Sequence, residues 1–89
     1  MPRSTFSPAY QEVTALVVKL RQDAGLSQRD LAAKLGRELS YISRIEQGQR
    51  RLDLVEFVWH CKACGVDPQA IGAELLGRLV SHPIRTKPD

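Results

Sequence analysis

No stretch of this 89-residue sequence approaches the roughly 20 apolar residues that cross a bilayer, and its start lacks the charged-then-apolar pattern of a secretory signal. Neither a membrane span nor export is expected, which leaves the cytoplasm. Catalytic apparatus is missing too: there is no Ser-His-Asp or Cys-His arrangement on separate elements and no glycine-rich phosphate loop. Histidine is scarce, with His60 next to the cysteines and His82 in a polar tail. The two cysteines, Cys61 and Cys64, stand as Cys-Lys-Ala-Cys, but a structural zinc wants four ligands and His82 is the only other candidate. They also fall in the last turn of an expected helix, where the helix dipole opposes a thiolate. Cys61 reads as a small core residue and Cys64 as a partly covered one. No enzyme, metal, cofactor or small-molecule ligand is expected.

A chain of this length is one domain, burying only about 60 to 65 per cent of its surface on folding. The net charge is modest, +3, but its placement is informative. Lys34, Arg37, Arg44, Arg50 and Arg51 face only Glu38 and Glu46 in the same stretch, an excess equal to the whole net charge of +3. A solvated basic face is the bland explanation. A local positive field on two short helices favours a polyanion instead.

Helix signals recur along the chain. Ser7-Pro8 is a cap followed by proline at the first helical position, and Tyr10, Val13, Val17, Leu20 and Ala24 then recur at three- and four-residue steps, which predicts a helix from about Pro8 to Ala24. Leu16 and Val18 lie beside that stripe and are expected to be exposed or partner-facing. Ser27, with Asp30 three residues on, opens a second helix over Gln28–Leu35, and Gly36 ends it by taking a left-handed conformation cheaply. Leu31, Ala32 and Leu35 share one face of it. A third helix begins near Glu38 or Leu39 and ends at Gly48, with Ile42 and Ile45 on one face. Asp53 caps a fourth from Leu54 to Cys64, its inward face being Leu54, Phe57 or Val58, and Cys61, with Trp59 off the stripe. Asp67-Pro68 opens a fifth to about Val80, carrying Ile71, Leu75, Leu76, Leu79 and Val80. The expected fold is all-α, a compact five-helix bundle.

The stretch Gln28 to Gly48, QRDLAAKLGRELSYISRIEQG, is two short helices joined at Gly36, with Ala32 small enough for a steep, close crossing. Its residues Gly25-Leu26-Ser27-Gln28, Leu31-Ala32, Leu35-Gly36, Ile42-Ser43-Arg44-Ile45-Glu46 and Gly48 resemble the Xre/Cro family of phage-repressor-like helix-turn-helix regulators, over about Leu16 to Pro68. The resemblance implies that the motif's second helix enters the DNA major groove. Its reading positions fall on Leu39, Ser40 and Arg44, with Tyr41 and Ser43 alongside. Gln28 matches a glutamine that grips a phosphate and braces the reading helix. Arg37, and Arg50 and Arg51 after the motif, are placed for the backbone. Leu39 stands where a polar reader is common, and Glu38 puts a carboxylate near the phosphates, so no target sequence transfers. The resemblance also places an ion pair between Arg21 and Glu46.

The organisation expected is a flexible arm over 1–7, a DNA-binding domain over 8–80 with its motif at 28–48, and a disordered tail over 81–89. The helix at 68–80 spreads its apolar residues over a wider arc than one small core covers, which points to a homodimer through Ile71, Leu75, Leu76 and Leu79. The leading reading is a bacterial or phage-encoded transcriptional regulator, most simply a repressor on a palindromic double-stranded operator. A reading of a different class is an antitoxin bound to a toxin protein, or an adaptor that keeps the fold without reading DNA. A separate toxin-binding segment would mark the antitoxin, and the short tail leaves little room for one.

Overall fold

Four of the five helices, α3 (Leu39–Glu46) excepted, start where the sequence supplies a side-chain oxygen to cap them. In the computed structural model, which describes residues 7–84, Ser7 Oγ accepts from the Tyr10 N–H at 3.2 Å and Pro8 takes the first position of α1 (Pro8–Asp23). Ser27 and Asp30 exchange side-chain-to-backbone bonds, both at 3.0 Å, to open α2 (Gln28–Leu35). That reciprocal pair satisfies two N–H groups that the first helical turn would otherwise leave without partners. Gly36 follows at φ +65°, a conformation that a side chain would strain, so the chain turns at once into α3 (Leu39–Glu46). Asp53 and Glu56 form a second reciprocal cap for α4 (Leu54–Ala63), and Asp67 with Pro68 starts α5 (Pro68–Leu79). The residues expected at the helix ends, Ala24, Cys64 and Val80, are the C-caps of α1, α4 and α5.

Two apolar clusters meet along α1. Val17 joins Leu31, Ala32, Tyr41, Ile42 and Ile45, so α1 closes the open side of the α2–α3 pair. Leu16 and Leu20 join Phe57, Cys61 and Leu75, so the other flank of α1 receives α4 and α5. Half-buried Leu52 and Cys64 pack against both clusters. A helix with partners on two sides needs a wider apolar arc than one stripe.

That geometry corrects three sequence expectations. Leu16, placed beside the stripe, is 3% exposed, because α1 is wedged between two layers; Ala24, counted in the stripe, is an exposed cap. Leu54 shares the face of Cys61 yet is 83% exposed. It sits at the first position of α4, where side chains lean back toward the helix start, and so it projects past the edge of the core.

The expected arm, apart from Ser7, and the tail beyond Ile84 lie outside the described residues. The first part of the expected tail is tied down: Ser81 Oγ donates to the Arg78 carbonyl at 2.9 Å, and His82 Nε2 lies 3.0 Å from Glu12 Oε2 on α1. Among the described residues no helix is long and apolar enough to cross a membrane.

Candidate nucleic-acid interface

The inward side of α3 is anchored by three side chains, Tyr41, Ile42 and Ile45, all buried against α1 and α2. Its flank is held by polar bonds. Arg21 of α1 donates from Nε to Glu46 Oε2 at 2.7 Å and from Nη2 to Glu46 Oε1 at 3.1 Å, and its Nη1 reaches the Leu26 carbonyl at 2.8 Å. The Glu46 bonds hold the Arg21 guanidinium above its ordinary pKa. Gln28, at the start of α2, donates to Glu46 Oε1 at 2.9 Å and accepts from Ser43 Oγ at 3.0 Å. Four side chains from three helices thus fix the rotation of α3 about its axis.

The outward side of α3 is left for something else. Ser40 and Arg44 are exposed and Leu39 is half-buried, and neither Ser40 nor Arg44 has a side-chain hydrogen bond or ion pair among the described residues. Ser40 and Arg44, together with Arg37, Glu38, Tyr41 and Arg50, line a cleft of about 290 Å³ at the start of α3, so three arginines share one opening. Glu38, at the N-cap position, makes no side-chain capping bond. The positive end of the α3 dipole lies at the same end of the helix as this cleft, although the Tyr41 N–H is taken up by the Glu38 carbonyl at 3.0 Å.

Tyr41, expected alongside the reading positions, faces the inside of the fold. Only 8% of it is exposed, because it precedes Ile45 by four residues and shares the inward face. The Arg37 guanidinium lies 3.9 Å from the ring centroid and that of Arg50 lies 4.8 Å from it, so Tyr41 is a shelf beneath two arginines. Burial pushes its phenol above the ordinary pKa.

Arg50 is also less available than its sequence position implied. Its Nη1 and Nη2 bond Glu56 Oε1 and Oε2 at 3.1 and 3.0 Å, a bidentate pair that holds the Glu56 carboxyl below its usual range. Glu56, which sequence reasoning did not single out, is 7% exposed and offsets part of the basic cluster. The signal was present, since Asp53-x-x-Glu56 is a capping-box pattern whose glutamate must fold back toward the loop. Arg51 is exposed, its guanidinium 4.9 Å from the Tyr10 ring, and Tyr10 Oη accepts the Leu52 N–H at 2.6 Å, which fastens the basic loop to α1.

The cysteine pair gives no comparable chemistry. Burial pushes the Cys61 thiol up to about 11 and raises Cys64 as well, so neither is poised as a thiolate. His60 is buried with Nδ1 3.0 Å from the Glu56 carbonyl, and burial lowers its pKa. Among the described residues no three His, Cys, Asp or Glu side chains gather as a metal ion would require.

The residues proposed for dimerisation divide. Leu75 is buried in the protein's own core and Ile71 and Leu79 are half-buried, whereas Leu76 is 63% exposed. Leu76 joins Leu52, Leu54, Phe57, Leu75 and Leu79 around an apolar groove of about 370 Å³ between α1, α4 and α5.

Comparison with known proteins agrees with this geometry. Residues 12–73 match the family model described as a helix-turn-helix domain. A solved XRE-family like protein from Pseudomonas syringae pv. tomato is 40% identical, with 78% of this chain and 84% of that one covered and a TM-score of 0.73. The restriction-modification controller protein C.Esp1396I, solved as a tetramer with its natural 35-base-pair operator, is 26% identical, with 85% of this chain and all of that one covered and a TM-score of 0.72. The clp gene regulator ClgR from C. glutamicum shares the fold at 21% identity, covering 86% and 100% of the two chains with a TM-score of 0.69. No curated protein sequence matches. The chain belongs to the Xre-type helix-turn-helix family, with the fold of a DNA-binding regulator.

Proposed function

We propose that the protein is a sequence-specific double-stranded DNA-binding transcriptional regulator of the cytoplasm, acting as a repressor by occupying a palindromic operator as a homodimer. The observation that carries this reading is the division of α3. Its inner and lateral side chains are engaged within the fold, while Ser40 and Arg44 stand on a rigid, anion-favouring surface with no side-chain hydrogen bond or ion pair of their own among the described residues, and half-buried Leu39 lies beside them. Rigid presentation is what base reading needs, because a donor displaced by an ångström loses its bidentate partner.

In this reading Arg44 is the main specificity residue, its planar fork meeting the paired acceptors of guanine, and Ser40 and Leu39 contact neighbouring base edges. Gln28 braces α3 and offers its remaining amide hydrogen to a phosphate; Ser43 completes the brace. Arg37 and Arg51 neutralise flanking phosphates, and Arg50 does so with only the part of its fork that Glu56 leaves. The operator complex of C.Esp1396I supports a double-stranded target for a fold of this kind. The exposed Leu76, with Val80 83% exposed beside it, supports pairing through α5, and a two-fold pair would set its reading helices about 34 Å apart, one turn of DNA.

The test is selection of binding sites from random duplex DNA, followed by titration of single-base variants with wild type and Arg44→Ala. Loss of about 1 to 3 kcal/mol of discrimination at one guanine per half-site is expected. Equal weakening on every variant would reduce Arg44 to an electrostatic contact. Absence of binding at low salt, even to a genomic pool, would replace this reading with that of an adaptor.

A further inference from the structure

Trp59 belongs to neither surface described so far. It is 51% exposed near the end of α4, and it forms one wall of an open cleft of about 520 Å³ whose other lining residues are Lys34 and Leu35 of α2 and Lys62 and Ala63 of α4. This cleft shares no residue with the arginine cleft at the start of α3 or with the apolar groove beside α5. Its floor is apolar, built from the indole, Leu35 and Ala63. Its rim carries two ammonium groups, both on exposed residues, and neither is in an ion pair among the described residues.

An indole half in water, against other apolar groups and between two cations, has the composition of an anchoring pocket at a protein interface. Aromatic anchors contribute most when desolvated, and charges at the rim choose the partner. We propose that this cleft docks an acidic segment of a protein partner, which seats one apolar side chain against Trp59 and sets flanking carboxylates on Lys34 and Lys62.

Charge complementarity selects that occupant, since the lining includes two cations and no carboxylate. Duplex DNA satisfies only half the site, because its backbone has phosphates for the lysines but no apolar group for the floor. A single-stranded base could stack on the indole, and a second copy of this chain could use one of its own acidic stretches; both are outcomes that the experiment separates. The site is independent of DNA reading and stands if that reading fails.

Trp59 is the only tryptophan in the sequence, so its emission reports this cleft alone. A random dodecapeptide library displayed on phage is panned against the full-length protein and counter-selected on the Lys34→Gln/Lys62→Gln variant. Enriched peptides should carry at least two acids around one leucine, phenylalanine or methionine. The enriched peptide, made synthetically, should shift Trp59 emission to the blue with a saturable curve. It should bind the double-lysine variant about tenfold more weakly, as the loss of two rim charge pairs implies. Circular dichroism of that variant should match wild type, and its discrimination among single-base DNA variants should be unchanged even if the lost charge weakens all duplexes alike, which separates docking from folding and from base reading. Enrichment of peptides without acids, no enrichment, a blue shift with oligo-dT in place of the peptide, or a shift that follows protein concentration alone would each overturn the proposal.

Discussion

Replacing Arg21 with methionine tests whether the fold depends on a link between the reading helix and α1. The side chains of Arg21 and Glu46 are 13% and 8% exposed, so water can do little to compensate a lost partner. Methionine preserves the aliphatic stem of Arg21 but removes three donors: two to Glu46 and one to the Leu26 carbonyl. Glu46 would keep only the Gln28 amide, at 2.9 Å, as a polar partner for a covered negative charge. Breaking a buried pair in this one-sided way costs about 3 to 5 kcal/mol, and a pair with some water access belongs at the lower end, about 3 kcal/mol. A small domain has only about 5 to 15 kcal/mol in total, and each kcal/mol moves its melting temperature by about 4 to 8 °C, so Arg21→Met should melt about 12 to 24 °C lower. Urea titration followed by far-ultraviolet circular dichroism measures the change directly, with an unaltered slope if unfolding stays two-state. The double variant Arg21→Met/Glu46→Leu should lose less than the sum of the single losses, because it leaves no charge stranded. A loss under about 0.5 kcal/mol in Arg21→Met, the usual size at a surface site, would refute the argument.

Arg50→Ala should lower stability by about 1 to 2 kcal/mol besides weakening DNA binding, since it strands the covered Glu56 carboxylate; the arginine is 38% exposed, which keeps the loss below that at Arg21. Equal melting curves for variant and wild type would return Arg50 to a purely phosphate-facing role. Leu76→Glu should convert a dimer to a monomer in sedimentation at micromolar concentration with melting little changed, whereas Leu75→Glu should unfold the protein, because Leu75 lies in the core. Unchanged mass in Leu76→Glu would place the interface elsewhere. Acid should destabilise the fold in two stages. The folded pKa of His60 lies below its ordinary value, so its contribution is whole above about pH 6.5 and is lost as pH falls toward the folded value. The folded pKa of Glu56 is likewise depressed, and its contribution is lost later, as pH drops through the carboxylate range. His60→Gln should flatten the stability profile between about pH 7 and 5, and an unaltered slope there would contradict the burial argument.

Local rules were sufficient for the helices. Ser7-Pro8, Ser27 with Asp30, Asp53 and Asp67-Pro68 each place an oxygen within one turn of the N–H groups it caps, and Gly36 supplies the one left-handed conformation the tight turn demands; such interactions span at most a few residues, so the sequence carries them openly. The inward pair Ile42 and Ile45, and with it the outward placing of Ser40 and Arg44, was legible for the same reason. Tertiary packing decided everything that depended on how many neighbours a helix has. Leu16 is buried only because α1 lies between two layers, Leu54 is exposed only because the core stops one turn short of it, and Tyr41 is a shelf for two arginines because the turn before α3 brings Arg37, and the loop after it Arg50, over the ring. Arg50 looked like one more basic residue of a DNA-facing loop until a glutamate six positions on closed a bidentate pair with it. Periodicity states which residues share a face, but the width of the face that is covered, and which charge is cancelled by which, are set by the distances between helices that only the folded chain brings together.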